Sequence, residues 1–132
     1  TVHYFADAGV RLAVKQADLI WLGAEAIDYD CRVYHKLGAE MACEIASQYH
    51  SPVYICTDSL KYDTHSVVDK RETIPRNPDE LWKAPKGVIV ENFGYEKIHP
   101  ELIQGIITEF GIFKTNEFVT ALIKAYPHWF GR

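Results

Sequence analysis

Apolar positions along the chain follow two patterns, and each predicts a different element. Leu19 through Leu22 and Val53 through Cys56 run without a polar break and stop at Gly23 and at Thr57-Asp58. Unbroken runs of this length suit strands buried on both faces, as in a parallel sheet. Residues 88–90 read the same way, and residues 2–5 read as a short β-rich segment. The second pattern is helical. Leu37, Met41, Ile45 and Tyr49 recur every fourth residue, which predicts an amphipathic helix over 36–49 that Pro52 prevents from continuing. Val10, Ala13, Val14 and Ala17 keep helical spacing after Asp7, a good N-cap. Pro100 suits a first helical turn, Leu102, Ile103, Ile106, Ile107 and Phe110 would form that helix's apolar face, and Gly111 its C-cap. A last helix is predicted over 116–126, with Phe118, Val119, Leu122 and Ile123 inward and Pro127 ending it. Residues 27–34 are polar and irregular, a loop or small hairpin. Residues 58–86, with Pro75, Pro78 and Pro85, read as a long connection holding a short extended piece and one helical turn at 78–82.

Strands alternating with helices predict an α/β fold: a Rossmann-like, three-layer domain with a mostly parallel sheet and helices on both faces. At 132 residues, 48% hydrophobic and 24% charged, the chain suits one globular domain. It opens without methionine on a strand-like segment, so 1–132 reads as a single C-terminal domain of a longer chain. Lys and Arg number 14 against 18 Asp and Glu, a net charge of -4. That argues against direct nucleic-acid binding, which calls for a basic face. No apolar run reaches the roughly 18 to 20 residues of a membrane helix, and no signal peptide is visible. Three cysteines, Cys31, Cys43 and Cys56, cannot all pair, and so sparse a set suits reduced thiols in the cytoplasm. Trp82, Phe93, Phe113, Phe118, Trp129 and Phe130 are many large side chains for a small domain. Either they finish the core or some stay exposed as a partner surface.

The common phosphate cradles G-x-G-x-x-G and G-x-x-x-x-G-K-[ST] are absent, as is the G-x-S-x-G elbow. No H-x-x-x-H pair occurs among six histidines, and Cys31 with His35 is too little for zinc. Neither a metal nor a cofactor is expected. In a parallel sheet, ligands sit beyond the carboxyl ends of the strands. Those ends read as Phe5-Ala6-Asp7, Gly23-Ala24-Glu25, Thr57-Asp58-Ser59 and Glu91-Asn92. Within residues 23–38 a strand delivers Glu25, and His35-Lys36 stand at the start of the next predicted helix. Helix N-terminal N–H groups attract an anion, and Lys36 adds a positive charge. Glu25, His35 and Lys36 are therefore the candidate binding residues for a phosphorylated ligand, a sugar phosphate or a nucleotide. In the competing reading Glu25 and Lys36 are simply solvated or form a surface ion pair of little worth.

Over the same stretch the sequence resembles the family of the α, β and δ regulatory subunits of translation initiation factor 2B. That family includes two aldose–ketose isomerases, for methylthioribose 1-phosphate and for ribose 1,5-bisphosphate. The isomerase pattern G-A-D-x-I followed by N-K-I-G-T aligns with Gly23-Ala24-Glu25-Ala26-Ile27 and His35-Lys36-Leu37-Gly38-Ala39. The likeness continues through residues 56–63, 74–81 and 92–111. The departures are specific. Glu25 stands where the isomerases carry a catalytic Asp, His35 replaces their Asn, Cys31 a loop Gly, and Ala39 a Thr. Their catalytic Cys belongs to a region upstream of this one. One extra methylene shifts a carboxylate by about an ångström, enough to cost on the order of a hundredfold in rate. The resemblance with these departures implies a regulatory, non-catalytic protein without catalytic residues here. Its partners would be like subunits, with initiation factor 2 as a further one. The alternative it implies is a sugar-phosphate isomerase, with Glu25 moving a proton beside an upstream thiol and Lys36 holding phosphate.

Overall fold

The computed structural model describes residues 1–64 and 73–130. It is a mixed α/β fold built on two four-stranded sheets. The first contains β1 (Ile20–Leu22), β4 (Val53–Cys56), β7 (Gly105–Thr108) and β8 (Gly111–Phe113), in that order. β1, β4 and β7 are parallel, and β8 returns antiparallel to β7. The second, wholly antiparallel, runs β2 (Ala26–Ile27), β3 (Val33–Lys36), β6 (Phe93–Ile98), β5 (Thr73–Pro75). Three α-helices complete the fold: α1 (Val10–Val14), α2 (Ala39–Gln48) and α3 (Thr115–Ala125).

One core joins these elements. Ile55 and Ile106 from the parallel sheet, Ile27, Val33 and Ile98 from the antiparallel sheet, and Phe118 and Leu122 from α3 are all fully buried. Val14 of α1 and Ala39, Cys43 and Ala46 of α2 close it. All three helices therefore lie on the face of the parallel sheet that carries Val53, Ile55 and Ile106. A right-handed crossover accounts for α2, which lies between the parallel strands β1 and β4; α1 precedes β1 and α3 follows β8, and both are held on this face by their buried side chains in the shared core. The opposite face carries Trp21, Tyr54, Cys56, Ile107 and Ile112, by strand alternation and register. Trp21 is 68% and Ile112 67% exposed. The second helical layer expected from the sequence is not formed by the described residues.

Local signals account for most boundaries. α2 starts three residues later than expected, after Gly38 at φ 100°, a left-handed backbone that glycine enters without penalty. It ends with His50 left-handed at φ 58°, His50 N–H donating to the Ser47 carbonyl and Ser51 N–H to that of Ala46. This pattern satisfies orphan carbonyls at a helix end. The face α2 buries is Ala39, Cys43 and Ala46, while Leu37 and Met41 of the expected stripe are half-exposed. Of the loop or small hairpin expected in 27–34, the hairpin forms, as β2–β3.

Four expectations are corrected. Residues 2–5 form no strand, with Val2 and Tyr4 94% exposed. Asp7 opens a 3-10 turn (Asp7–Gly9), and its side chain makes no cap. Residues 88–90 form no strand either, Ile89 being 88% exposed; the buried strand lies a few residues later, in β6. The helix expected after Pro100 is only a 3-10 turn (Pro100–Leu102), followed by the β7–β8 hairpin. In the long connection, β5 and a 3-10 turn (Pro78–Glu80) match the extended piece and the helical turn; its residues 65–72, including His65, lie outside the described residues. Of the six aromatic residues named above, Trp82 is exposed, Phe118 is buried, and Phe93, Phe113, Trp129 and Phe130 are half-buried. Among the described residues no helix is long and apolar enough to cross a membrane.

Cys31 and Cys43 are buried, Cys56 is exposed, and all three are free thiols. Burial, reinforced by nearby carboxylates, pushes the Cys31 thiol up to about 11 and the Cys43 thiol up to about 12. Only thiolates react readily. A colorimetric thiol reagent at pH 8 should therefore modify one thiol quickly in native protein and all three after denaturation. Fewer than three in the denatured state would mean a disulfide exists.

Candidate functional site

The β2–β3 hairpin presents the candidate residues. Its tight turn is organised by Asp28, whose Oδ1 accepts from Asp30 N–H at 3.0 Å and Arg32 N–H at 2.9 Å. Cys31 sits in that turn at φ 60°, a left-handed conformation strained for most side chains and natural for glycine. This explains physically why the resembled isomerase pattern places Gly there. Glu25 leads into β2, its N–H donating to the Tyr34 carbonyl at 2.9 Å.

Strand periodicity then separates two residues that are adjacent in sequence. His35 and Lys36 lie in β3, not at a helix start, so they point to opposite faces. His35 shares the inward face with Val33 and pairs with Glu96 across to β6. Lys36 shares the outward face with Tyr34 and is paired with Tyr95. Its Nζ donates to the Tyr95 hydroxyl at 2.5 Å and lies 3.9 Å from the ring centroid. Among the described residues Lys36 forms no ion pair with Glu25. The N-terminus of α2 is already served by an anion of the chain itself: Glu96 Oε1 accepts from Glu40 N–H at 2.8 Å. Glu25 and Tyr95 thus line one cleft, Lys36 is joined to it through the Tyr95 hydroxyl, and His35 lies on the other side of the sheet.

Glu25 opens into a cleft of about 370 Å³ lined by Ala26, Tyr34, Asp63, Ile74 and Tyr95. It holds two carboxylates, two phenols and the apolar side chains of Ala26 and Ile74, and it lies on the outward face of the antiparallel sheet, where Ala26 pairs with Tyr34 and Ile74 with Tyr95. Small-molecule sites combine an apolar wall with a few converging polar groups in this way. A larger hollow of about 640 Å³ follows the outer side of α3 between Phe110 and Lys124, but none of the candidate residues reaches it. Sequence reasoning missed Tyr34, Asp63 and Tyr95, whose place depends on pairing between distant segments. At the neighbouring strand ends, Ser59 Oγ and N–H both donate to the Glu109 carboxylate, which holds that carboxyl below its usual range. Among the described residues no three His, Cys, Asp or Glu side chains could hold a metal ion.

Behind the cleft lies a buried ion pair. Lys97 Nζ is 3.5 Å from Asp28 Oδ2, with the two side chains 2% and 4% exposed, and 4.8 Å from the Tyr34 ring centroid. Burial alone would lower the Lys97 pKa. The hydrogen bond to Tyr34 and the Asp28 charge outweigh burial and raise it.

The pattern of the Initiation factor 2 subunit family matches residues 1–115. A Sulfolobus acidocaldarius protein bearing the name methylthioribose-1-phosphate isomerase is 32% identical over 119 residues, covering 84% of this chain and 32% of its own length. The ribose 1,5-bisphosphate isomerase of Pyrococcus furiosus is 27% identical over 120 residues, covering 84% of this chain and 36% of its own. The crystal structure of the translation initiation factor eIF-2B subunit delta from A. fulgidus superposes with a TM-score of 0.73 at 23% identity, covering 87% of this chain and 36% of that one. The chain spans about a third of the length of these relatives.

Proposed function

The chain belongs to the Initiation factor 2 subunit family, and on that premise we propose that it is the C-terminal, Rossmann-like domain of a sugar-phosphate-binding protein of the aldose–ketose isomerase type. The observation that carries this reading is the cleft lined by Glu25, Asp63, Tyr34 and Tyr95, with Lys36 bonded to the Tyr95 hydroxyl. Glu25 occupies the place of the isomerase Asp. A carboxylate there can accept a sugar hydroxyl or relay a proton between C2 and C1 of an aldose 1-phosphate. The thiol partner would come from an upstream region. The names of the related proteins add weight to this alternative over the regulatory role favoured by the sequence departures.

The regulatory reading is second. It is favoured by Glu25 in place of Asp, which lengthens the carboxylate's reach. It would make the chain an assembly domain for like subunits, with initiation factor 2 as a further partner and the cleft as a ligand sensor.

Calorimetric titration of the full-length protein with ribose 1,5-bisphosphate and methylthioribose 1-phosphate, paired with NMR of the sugar carbons, separates the two. Binding with conversion to the ketose, sensitive to Glu25→Gln, is the expected result. Binding without conversion in both wild type and Glu25→Asp would transfer the assignment to the regulatory reading. No binding of either sugar phosphate would end the sugar-phosphate reading and leave the assembly role of the regulatory one.

A further inference from the structure

Lys36 and Tyr95 stand directly opposite each other on β3 and β6, so the register of the antiparallel sheet sets their contact. An ammonium group can only donate hydrogen bonds, whereas a phenol carries one donor and two acceptor sites. With Lys36 Nζ donating to the Tyr95 oxygen at 2.5 Å, the Tyr95 O–H hydrogen remains for another acceptor. Tyr95 lines the Glu25 cleft, and among the described residues the charged side chains of that lining are the carboxylates Glu25 and Asp63. Carboxylates accept from hydroxyl groups and repel phosphate. Among the described lining residues, the electropositive point is therefore the Tyr95 hydroxyl, polarised by the lysine bonded to it.

We propose that the Tyr95 hydroxyl is the donor that contacts the electron-rich end of the bound sugar phosphate, a phosphate or carbonyl oxygen, while Glu25 takes its hydroxyls. Lys36 is then a positioning residue that acts through Tyr95. This inference rests on the sugar-phosphate reading and adds the direction in which the ligand lies. The same cross-strand arrangement recurs two pairs along, the next pair on the same face, where Lys97 Nζ stands 4.8 Å from the ring centroid of Tyr34, the other phenol of the cleft.

The test is a double-mutant cycle on the full-length protein, read as affinity for ribose 1,5-bisphosphate by titration calorimetry. Tyr95→Phe keeps the ring and its packing and removes only the hydroxyl. It should weaken binding about tenfold, in the range of a lost charge-assisted hydrogen bond. Lys36→Met should weaken binding by a similar factor. The double variant should be no weaker than Tyr95→Phe, because Lys36 has nothing left to act through. Wild-type affinity in Tyr95→Phe, or losses that multiply in the double variant, would overturn the inference and leave the sugar-phosphate reading in place. Absence of binding by the wild-type protein would overturn both.

Discussion

Replacing Lys97 with methionine should destabilise the fold by about 3–5 kcal/mol, the usual cost of leaving one member of a buried ion pair without its partner. Asp28 would keep its two hairpin hydrogen bonds, from Asp30 and Arg32 N–H, but its charge would remain 3% exposed with the Lys97 cation gone. The double variant Asp28→Asn with Lys97→Met should recover most of the loss. The asparagine side-chain oxygen can still accept from both hairpin N–H groups, and no buried charge is left. Urea unfolding followed by circular dichroism checks this through the midpoint. Equal losses in the single and double variants would mean that charge is not the cause. The pH dependence has a definite sign. The Lys97 pKa is raised in the folded protein, so its contribution is full below the ordinary lysine value of 10.5 and is lost as pH rises through the folded value. Wild-type stability should therefore lose this contribution only in strongly alkaline solution, and the Lys97→Met variant should lack that decline.

Phe118→Ala should cost about 3–5 kcal/mol as well, by a different mechanism. Phe118 is fully buried on α3 and meets the Tyr62 ring edge-on at 6.3 Å between centroids. It touches the core where both sheets converge, so the cavity left by truncation has little room to collapse. For a domain of this size the melting temperature should fall by about 10–20 °C. Ile112→Ser, on the uncovered sheet face, is the contrasting case. It removes an apolar side chain that is 67% exposed, and stability should stay within about 0.5 kcal/mol. A melting temperature equally lowered by both substitutions would contradict the placement of the core.

The most reliable elements in the sequence were those with one unambiguous period. The runs at 19–22 and 53–56 became β1 and β4, and the end of α3 was marked by Pro127. The segment after Pro100 was ambiguous. Leu102, Ile103, Ile106 and Ile107 suit a helical stripe, but the β-branched isoleucines and Gly105 suit a strand equally well. Packing decided. Gly105 lies where a Cβ would come within 3.1 Å of the Phe113 carbonyl and 3.2 Å of the Tyr54 ring, and Ile106 pairs beside Ile55 in the sheet. β6 was hidden because Glu96 and Lys97 interrupt its apolar pattern. Their acceptance inside depends on Glu40 N–H and on Asp28, both distant in sequence.

By itself, the sequence determined β1 and β4 with their carboxyl ends, the α2 and α3 segments, and Glu25 as a residue of interest, because these depend on local periodicity and on where apolar runs stop. Only the tertiary structure decided the composition of the cleft. Lys36 and Tyr95 are 59 residues apart, and strand pairing brings them together. The two-residue period of β3 sends His35 to the other face. Side-chain direction and cross-strand register are properties of the folded sheet, and no local pattern of residues encodes them.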